Sequence, residues 1–318
     1  MEDAWSVVFG PVPSRRLGRS LGVNNIPPKH CTYACAYCQL GRPDNVQVER
    51  SPFYSPQSIA EAVCARVEKL AATGDRVDYL TFVPDGEPTL DVNLRQEIEL
   101  LRPLGIPVAV ISNASLLGDG EVREALQLAD WVSVKVDTVV PRLWRALNRP
   151  HRQLEMGKLL GSMLEFAVSY RGTLVTETML VAGRNDGEGE LRELSSFLAE
   201  LQPAKAYLSV PTRPPAEPWV RRPDEPSVVR AAYLLEEKGS YVECLTGSEG
   251  DAFGHAGDGA ADLLATTAVH PMREGALRQY LREANEDWAL VDSLLASGQL
   301  RAVHYAGETF YARCLNRE

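Results

Sequence analysis

Apolar positions along the chain alternate between short continuous runs and helical stripes. Ser20 to Ile26 reads as a strand. From Pro56 to Ala72, Ile59, Val63, Val67 and Leu70 recur at helical spacing and predict an amphipathic helix. Val77 to Val83 is an apolar run that stops at Pro84-Asp85-Gly86, a strand followed by a turn. The alternation continues as a helix around Asn93 to Leu101, a strand at Ile106 to Ile111 and a helix at Gly120 to Leu128. A strand at Trp131 to Val136, a helix at Leu154 to Tyr170 and a strand at Thr173 to Val181 come next. A helix at Gly189 to Leu201 and a strand at Lys205 to Val210 close the series.

Five or six βα units in succession predict a parallel sheet wrapped by helices. The strands are apolar on both faces, as a doubly covered sheet requires. Six units fall short of the eight-fold barrel, so an open or partial (β/α)6 barrel is expected, its reactive site at the C-terminal ends of the strands. Pro211 to Pro226 reads as loop. A helix (Pro226 to Lys238) and a strand (Tyr241 to Thr246) complete a first domain over residues 1–246. A Gly/Asp-rich stretch, 247–259, reads as linker. In 260–318, helices at Ala261 to Ala268, Glu274 to Glu283 and Glu286 to Ser297 precede two β runs, Arg301 to Tyr305 and Thr309 to Arg313. Three helices and a hairpin predict a small winged-helix-like α+β domain.

Charge narrows the partners. The net charge of −10 disfavours binding a polyanion through a general basic field. The winged-helix pattern suggests DNA, but from Gly259 to Glu318 six arginines face eight acidic residues with no lysine. A cap or protein-interaction module is the expected role, with nucleic acid not an expected partner. No apolar run approaches the ~20 residues of a membrane span. Met1-Glu2-Asp3-Ala4-Trp5 has neither a basic nor an apolar leader region, so a cytoplasmic protein without membrane association is expected. There, closely spaced cysteines bind metal or do redox work more often than they form disulfides.

Three of the six cysteines, Cys31, Cys35 and Cys38, are spaced C-x3-C-x2-C. Random scatter would give this spacing about 0.002 times per chain. Three readings compete. A structural zinc wants four ligands, and the available fourth, His30, adjoins Cys31 awkwardly. A thiol–disulfide site needs only two cysteines. A cubane held by three thiolates leaves one iron open for chemistry. Cys64, Cys244 and Cys314 read as buried small hydrophobes.

The loop, with Tyr37 before its last cysteine, resembles the cluster loop of the radical S-adenosylmethionine superfamily. Gly86-Glu87-Pro88, one βα unit later, resembles the superfamily's GEP turn. The run from Gly10 to Gly22 (GPVPSRRLGRSLG), with Gln39-Leu40-Gly41 and Gly86 to Leu90, is similar to an iron–sulfur oxidoreductase subgroup related to tRNA-wyosine synthases. The likeness covers roughly residues 9–215 and departs from the pattern at Val83-Pro84-Asp85, where small residues are expected. It implies a partial barrel of radical S-adenosylmethionine type and a 4Fe–4S cluster on Cys31, Cys35 and Cys38. It also implies S-adenosylmethionine as cofactor, an electron donor of flavodoxin or ferredoxin type, and a small-molecule, peptide or protein substrate. Tyr37, Gly86, Glu87 and Pro88 would hold the cofactor, the GEP turn taking its amino group. Ser112, Asn113 and Asp137 would meet its ribose or carboxylate. Arg15, Arg16, Arg19, Lys135, Glu177 and Arg213 are candidate substrate contacts. Plain alternatives stand beside them: a turn at Ser112-Asn113, an ion pair between Lys135 and Asp137, a satisfied carboxylate at Glu177, and solvated arginines. The resemblance leaves open a glycyl-radical activase, a peptide-modifying enzyme, a tRNA-modifying enzyme and a non-catalytic metal module.

Overall fold

The computed structural model describes residues 6–247, 250–255 and 257–314. An antiparallel pair, β1 (Val8–Ser14) and β2 (Gly18–Val23), leads into the cysteine loop, where β3 (His30–Cys31) and β4 (Asn45–Val46) pair briefly. There follow α1 (Pro56–Ala72), β5 (Tyr79–Phe82), α2 (Leu94–Leu101), β6 (Val108–Ser112), α3 (Gly120–Leu126) and β7 (Trp131–Lys135). Then come α4 (Pro141–Leu147), α5 (Met156–Ser169), β8 (Thr173–Met179), α6 (Glu188–Leu201), β9 (Lys205–Ser209), α7 (Glu225–Glu236) and β10 (Val242–Leu245).

The eight-stranded sheet runs β1-β2-β5-β6-β7-β8-β9-β10 and curls into a half-barrel. Every neighbouring pair from β2 onward is parallel. The partial barrel is as expected, with β1 an addition. Two prolines and Gly10 break β1 as a sequence signal, yet proline is tolerated on an edge strand with a bulge, and β1 has both. The outer face of the sheet buries Leu80, Phe82, Val108, Val110, Val132 and Val134 against the helices, including Ile59, Ile98 and Phe166. The inner face alternates with it and mixes small buried groups, Ser20, Thr81, Ala109 and Ser133, with a cluster of Trp131, Val175 and Tyr207. Small residues inside the curl leave room for a cavity. Helix α1 keeps its expected bounds because Ser55 accepts from the Ser58 amide and Pro56 opens the first turn. Of the three isolated cysteines, Cys244 is exposed and Cys64 and Cys314 are half-buried, so none is a buried core residue.

The tail is α8 (Gly259–Val269), β11 (Met272–Arg273), α9 (Glu274–Glu283), α10 (Trp288–Ala296), β12 (Leu300–Tyr305) and β13 (Glu308–Arg313). Its sheet has the order β11-β13-β12 and is antiparallel throughout. Leu263, Leu277, Tyr280 and Val291 form its core together with Phe9 and Val12 of β1. Phe253, inside the stretch that reads as linker, is buried in the same core. The amide of Gly254 donates to the Pro11 carbonyl at 2.7 Å. Arg66 of α1 pairs with Asp262 of α8. The tail therefore packs on the N-terminal edge of the half-barrel. Among the described residues no helix is long and apolar enough to cross a membrane.

Candidate active site

A cavity of about 360 Å³ opens at the C-terminal ends of the parallel strands and is lined by all three loop cysteines. The loop is fixed from two sides. Gly86 forms a bridge with His30, and the Glu87 amide donates to the His30 carbonyl at 3.0 Å. A Cβ on Gly86 would stand 1.8 Å from that carbonyl oxygen, so only glycine fits there. On the other side, the Ala36 amide donates to the Leu147 carbonyl at 2.7 Å and the His151 amide to the Thr32 carbonyl at 2.9 Å. Trp144 of α4 donates through Nε1 to the Tyr33 hydroxyl at 3.2 Å.

The donor set fits an iron–sulfur cluster. Burial raises all three thiols, and Cys35 reaches about 12. Like charge adds to burial: Cys35 and Glu87 act on Cys31, Asp137 and Cys38 on Cys35, and Asp85 on Cys38. Crowded acidic groups in a low dielectric call for a cationic centre to displace their protons. Two amides are aimed at the sulfurs: Asn113 Nδ2 lies 3.7 Å from Cys31 Sγ, and Asn148 Nδ2 lies 3.7 Å from Cys35 Sγ. Among the described residues, no three His, Cys, Asp or Glu side chains are grouped as a metal-ion site.

Glu87 lines the cavity, but its buried carboxylate is engaged within the protein. Oε1 accepts from the Thr89 amide at 3.2 Å, the Thr89 hydroxyl at 2.6 Å and the Ser112 hydroxyl at 2.7 Å. Oε2 accepts from the Asn113 amide at 2.7 Å. Burial nonetheless pushes its pKa up. The GEP turn and the end of β6 are thus tied into one wall. Asp85, the departure noted before that turn, forms an ion pair with Lys29 at 2.9 Å beside the cysteine loop.

A charged group forms the inner wall. Lys135 and Glu177 are register partners on β7 and β8, with Nζ 3.2 Å from Oε1. Arg16 pairs with the other oxygen of Glu177, and the Ser209 hydroxyl donates to Oε1 at 3.2 Å. Burial opposes the charge on Glu177, but Arg16 and Lys135 outweigh it and hold the carboxyl far below its usual range. Lys135 also stands 5.0 Å from the Tyr37 ring centroid. Arg15, Arg16, Lys135 and Arg213 therefore share the cavity with Tyr37, Gly86, Ser112, Asn113 and Glu177.

Three expected residues lie elsewhere. Asp137 is fully engaged behind the wall: Oδ2 accepts from Tyr37 and from Asn148 at 2.6 Å, and Oδ1 accepts from the Met179 amide at 2.7 Å. It positions the cysteine loop and does not line the cavity. Pro88 is buried in a single 3-10 turn, its carbonyl accepting from Asn25 at 3.1 Å. Arg19, second residue of β2, pairs with Asp75 ahead of β5, because it points to the opposite face of the sheet from its cavity-lining neighbour Ser20.

The tail completes the chamber. Val269 and His270, at the end of α8, line it. Arg213 Nη1 donates to Gln39 Oε1 at 2.9 Å, Arg213 Nη2 lies 2.7 Å from His270 Nε2, and Gln39 Nε2 donates to the Val269 carbonyl at 3.2 Å. Asn148, Lys29 and His270 carry no local signal in sequence beyond their residue type. Asn148 follows a seven-residue helix, α4, that periodicity over a longer window does not detect.

The half-barrel, with three thiols converging on its mouth beside a GEP turn, defines a class, and the sequence profile of the Radical SAM superfamily matches residues 25–195. The chain belongs to that superfamily and is a radical SAM enzyme, of a class that uses a 4Fe–4S cluster and S-adenosylmethionine. It is 41% identical over 310 residues to a UPF0026 protein of Methanocaldococcus jannaschii, covering 97% of this chain and 96% of that protein. A UPF0026 protein of Helicobacter pylori is 32% identical over 211 residues, covering 65% of this chain and 67% of that one. A radical SAM methyltransferase from Sphaerobacter thermophilus shares the fold with a TM-score of 0.55 at 16% identity, over 71% of this chain and 66% of that chain. Streptococcus suis SuiB bound to S-adenosylmethionine does so with a TM-score of 0.51 at 13% identity, over 70% of this chain and 49% of that chain.

Proposed function

We propose that Cys31, Cys35 and Cys38 hold the cluster with one iron open to the cavity, and that the enzyme acts on an anionic substrate, or substrate end, that enters this cavity. The observation that carries the reading is the meeting of three thiols, the Gly86–Glu87 turn and a cationic wall in one space of about 360 Å³. When bound, cluster and S-adenosylmethionine together supply a one-electron cleavage to methionine and a 5′-deoxyadenosyl radical that takes a hydrogen atom from substrate. The electron comes from a carrier of flavodoxin or ferredoxin type.

The protein's own residues bind, orient and exclude water. Backbone at Gly86, where no side chain intervenes, receives the amino group of S-adenosylmethionine, with Ser112 and Asn113 beside it. Arg15, Arg16 and Arg213 offer charge-assisted hydrogen bonds to a carboxylate or phosphate on the substrate. Glu177 holds Arg16 and Lys135 in place between them. Val269 and His270 of the tail cover the mouth and keep the radical from solvent.

A peptide- or protein-modifying reading stands second. A further cavity of about 200 Å³ shares Arg213 and His270 with the first and continues to Tyr305 and Phe310 of the wing. It offers room for residues flanking a modified one. The acidic tail disfavours a tRNA substrate.

Anaerobic reconstitution, then dithionite and S-adenosylmethionine, tests the reading. About four iron and four sulfide per chain are expected, with 5′-deoxyadenosine and methionine released, and both lost in Cys35→Ala. Stoichiometric zinc, or a full iron complement that yields no 5′-deoxyadenosine, would sink it.

A further inference from the structure

The cysteine loop has two faces. Cys31, Cys35 and Cys38 look into the cavity, which no residue of 141–152 lines. The other face is covered by residues 147–151, hydrogen-bonded backbone to backbone along the loop at Thr32, Ala34 and Ala36. Asn148 lies buried within this cover: its amide is 3.7 Å from Cys35 Sγ, and the half-buried Arg149 follows it in sequence.

This cover is basic in an acidic protein. From Pro141 to Arg152 the chain carries Arg142, Arg145, Arg149 and Arg152 and no acidic residue, while its net charge is −10. Arg145 and Arg152 are exposed. Arg42, just past the last cysteine, has a side chain 67% exposed and joins Arg149 at Glu217, at 2.8 and 2.5 Å. Glu217 is buried beneath them, and Arg142 meets Glu190 at 2.9 Å. Counting Glu190, Glu217 and the exposed Asp44 beside Arg42, with Glu155 paired to Lys158, the five arginines still leave positive charge in excess.

We propose that the face formed by Arg42, Arg145, Arg149 and Arg152 is the docking surface of an acidic one-electron carrier protein. The proposal rests on the cluster assignment above. The front of the loop is taken up by cofactor and substrate, so a carrier approaching during turnover needs the back. Electron-transfer encounters are small and steered by charge, which an arginine-rich segment beside the cysteine loop supplies. One electron leaves the reduced carrier and enters the oxidised cluster; the carrier departs oxidised by one electron, and no atom is transferred. A nucleic acid would also be drawn to arginine, but its base would have to reach the cavity, on the far side of the loop.

The test is the double variant Arg145→Glu with Arg152→Glu, both exposed and outside the cavity, in reconstituted protein. Stopped-flow absorbance follows cluster reduction by photoreduced flavodoxin and, separately, by dithionite, over a range of salt. The flavodoxin rate should fall by about tenfold or more at low salt and lose most of its salt dependence. The dithionite rate and the iron content should not change. An unchanged flavodoxin rate overturns the proposal, as does an equal loss with dithionite. Loss of tRNA binding with the flavodoxin rate intact would assign the face to nucleic acid and overturn it too. Parent protein whose iron neither reductant bleaches would remove the cluster assignment and this surface with it.

Discussion

The side-chain amide of Asn148 lies 3.7 Å from the sulfur of Cys35. The same amide reaches the Tyr37 hydroxyl at 2.9 Å and Asp137 at 2.6 Å, so one buried residue fixes the loop and addresses a sulfur proposed to bind the cluster. Amide hydrogen bonds to ligand sulfur stabilise the more negative, reduced cluster and raise its potential. Asn148→Ala should therefore lower the midpoint potential and weaken cluster retention by roughly 10- to 100-fold. A redox titration followed by electron paramagnetic resonance, with iron counted beforehand, checks both effects. An unchanged potential in fully loaded protein would reduce Asn148 to a packing residue.

Gly86 has no room for a side chain, since a Cβ would meet the His30 carbonyl at 1.8 Å and Ile26 Cδ1 at 2.8 Å. The first is backbone, and the second ends a fully buried side chain. Gly86→Ala should push the start of the cysteine loop away from the GEP turn. The expected result is folded protein, by circular dichroism, that retains less than half the parental iron after reconstitution. Gly118→Ala, where the nearest atom is Ser162 Oγ at 3.6 Å, should behave like the parent.

Glu87 presents a choice between holding ligand and holding the fold. Its oxygens accept four hydrogen bonds from Thr89, Ser112 and Asn113. A glutamine can keep the three at Oε1, but its NH2 would face the Asn113 amide. Glu87→Gln should lower stability by about 1–3 kcal/mol, read from the urea midpoint. A variant of parental stability that fails to bind S-adenosylmethionine would show that the carboxylate acts on the ligand directly.

Legibility followed the range of the interactions. Strands β5 to β9 could be read because each is a short, mostly apolar run between helical stripes, and α1 because Ser55 and Pro56 mark its start. The β1 strand escaped detection because its pairing depends on an edge position that Pro11 and Pro13 tolerate, which no local pattern shows. Cys31, Cys35 and Cys38 announce themselves by spacing. Asn148, which touches Cys35, is 113 residues away from it, and His270 is 57 residues from Arg213; only the folded chain joins them. Asp137 was visible as a strand-end carboxylate, but a strand end does not say which way the carboxylate turns. It turned inward, to Tyr37 and Asn148.

A second carboxylate pair lies beneath the GEP turn and gives the protein a pH dependence independent of the cluster. Asp91 and Glu97 are both fully buried, and Glu97 Oε2 accepts from Asn25 at 3.2 Å. Burial raises both groups above the usual carboxylate range, and the Asp91 charge beside it adds to the rise at Glu97. Through neutral pH the pair therefore keeps one proton that the unfolded chain releases. The folded state binds more protons across this window, so the pair's contribution to stability is fully present below about pH 4 and is lost as pH rises through its raised folded range. Glu97→Gln reproduces the protonated form: its amide oxygen accepts from Asn25 and its NH2 donates to the Asp91 carboxylate. It should stabilise the protein by about 1–3 kcal/mol at pH 9 and change little at pH 4.5. Urea unfolding of apoprotein at the two pH values measures the difference. A gain of equal size at both would show that the pair does not hold its proton through neutral pH.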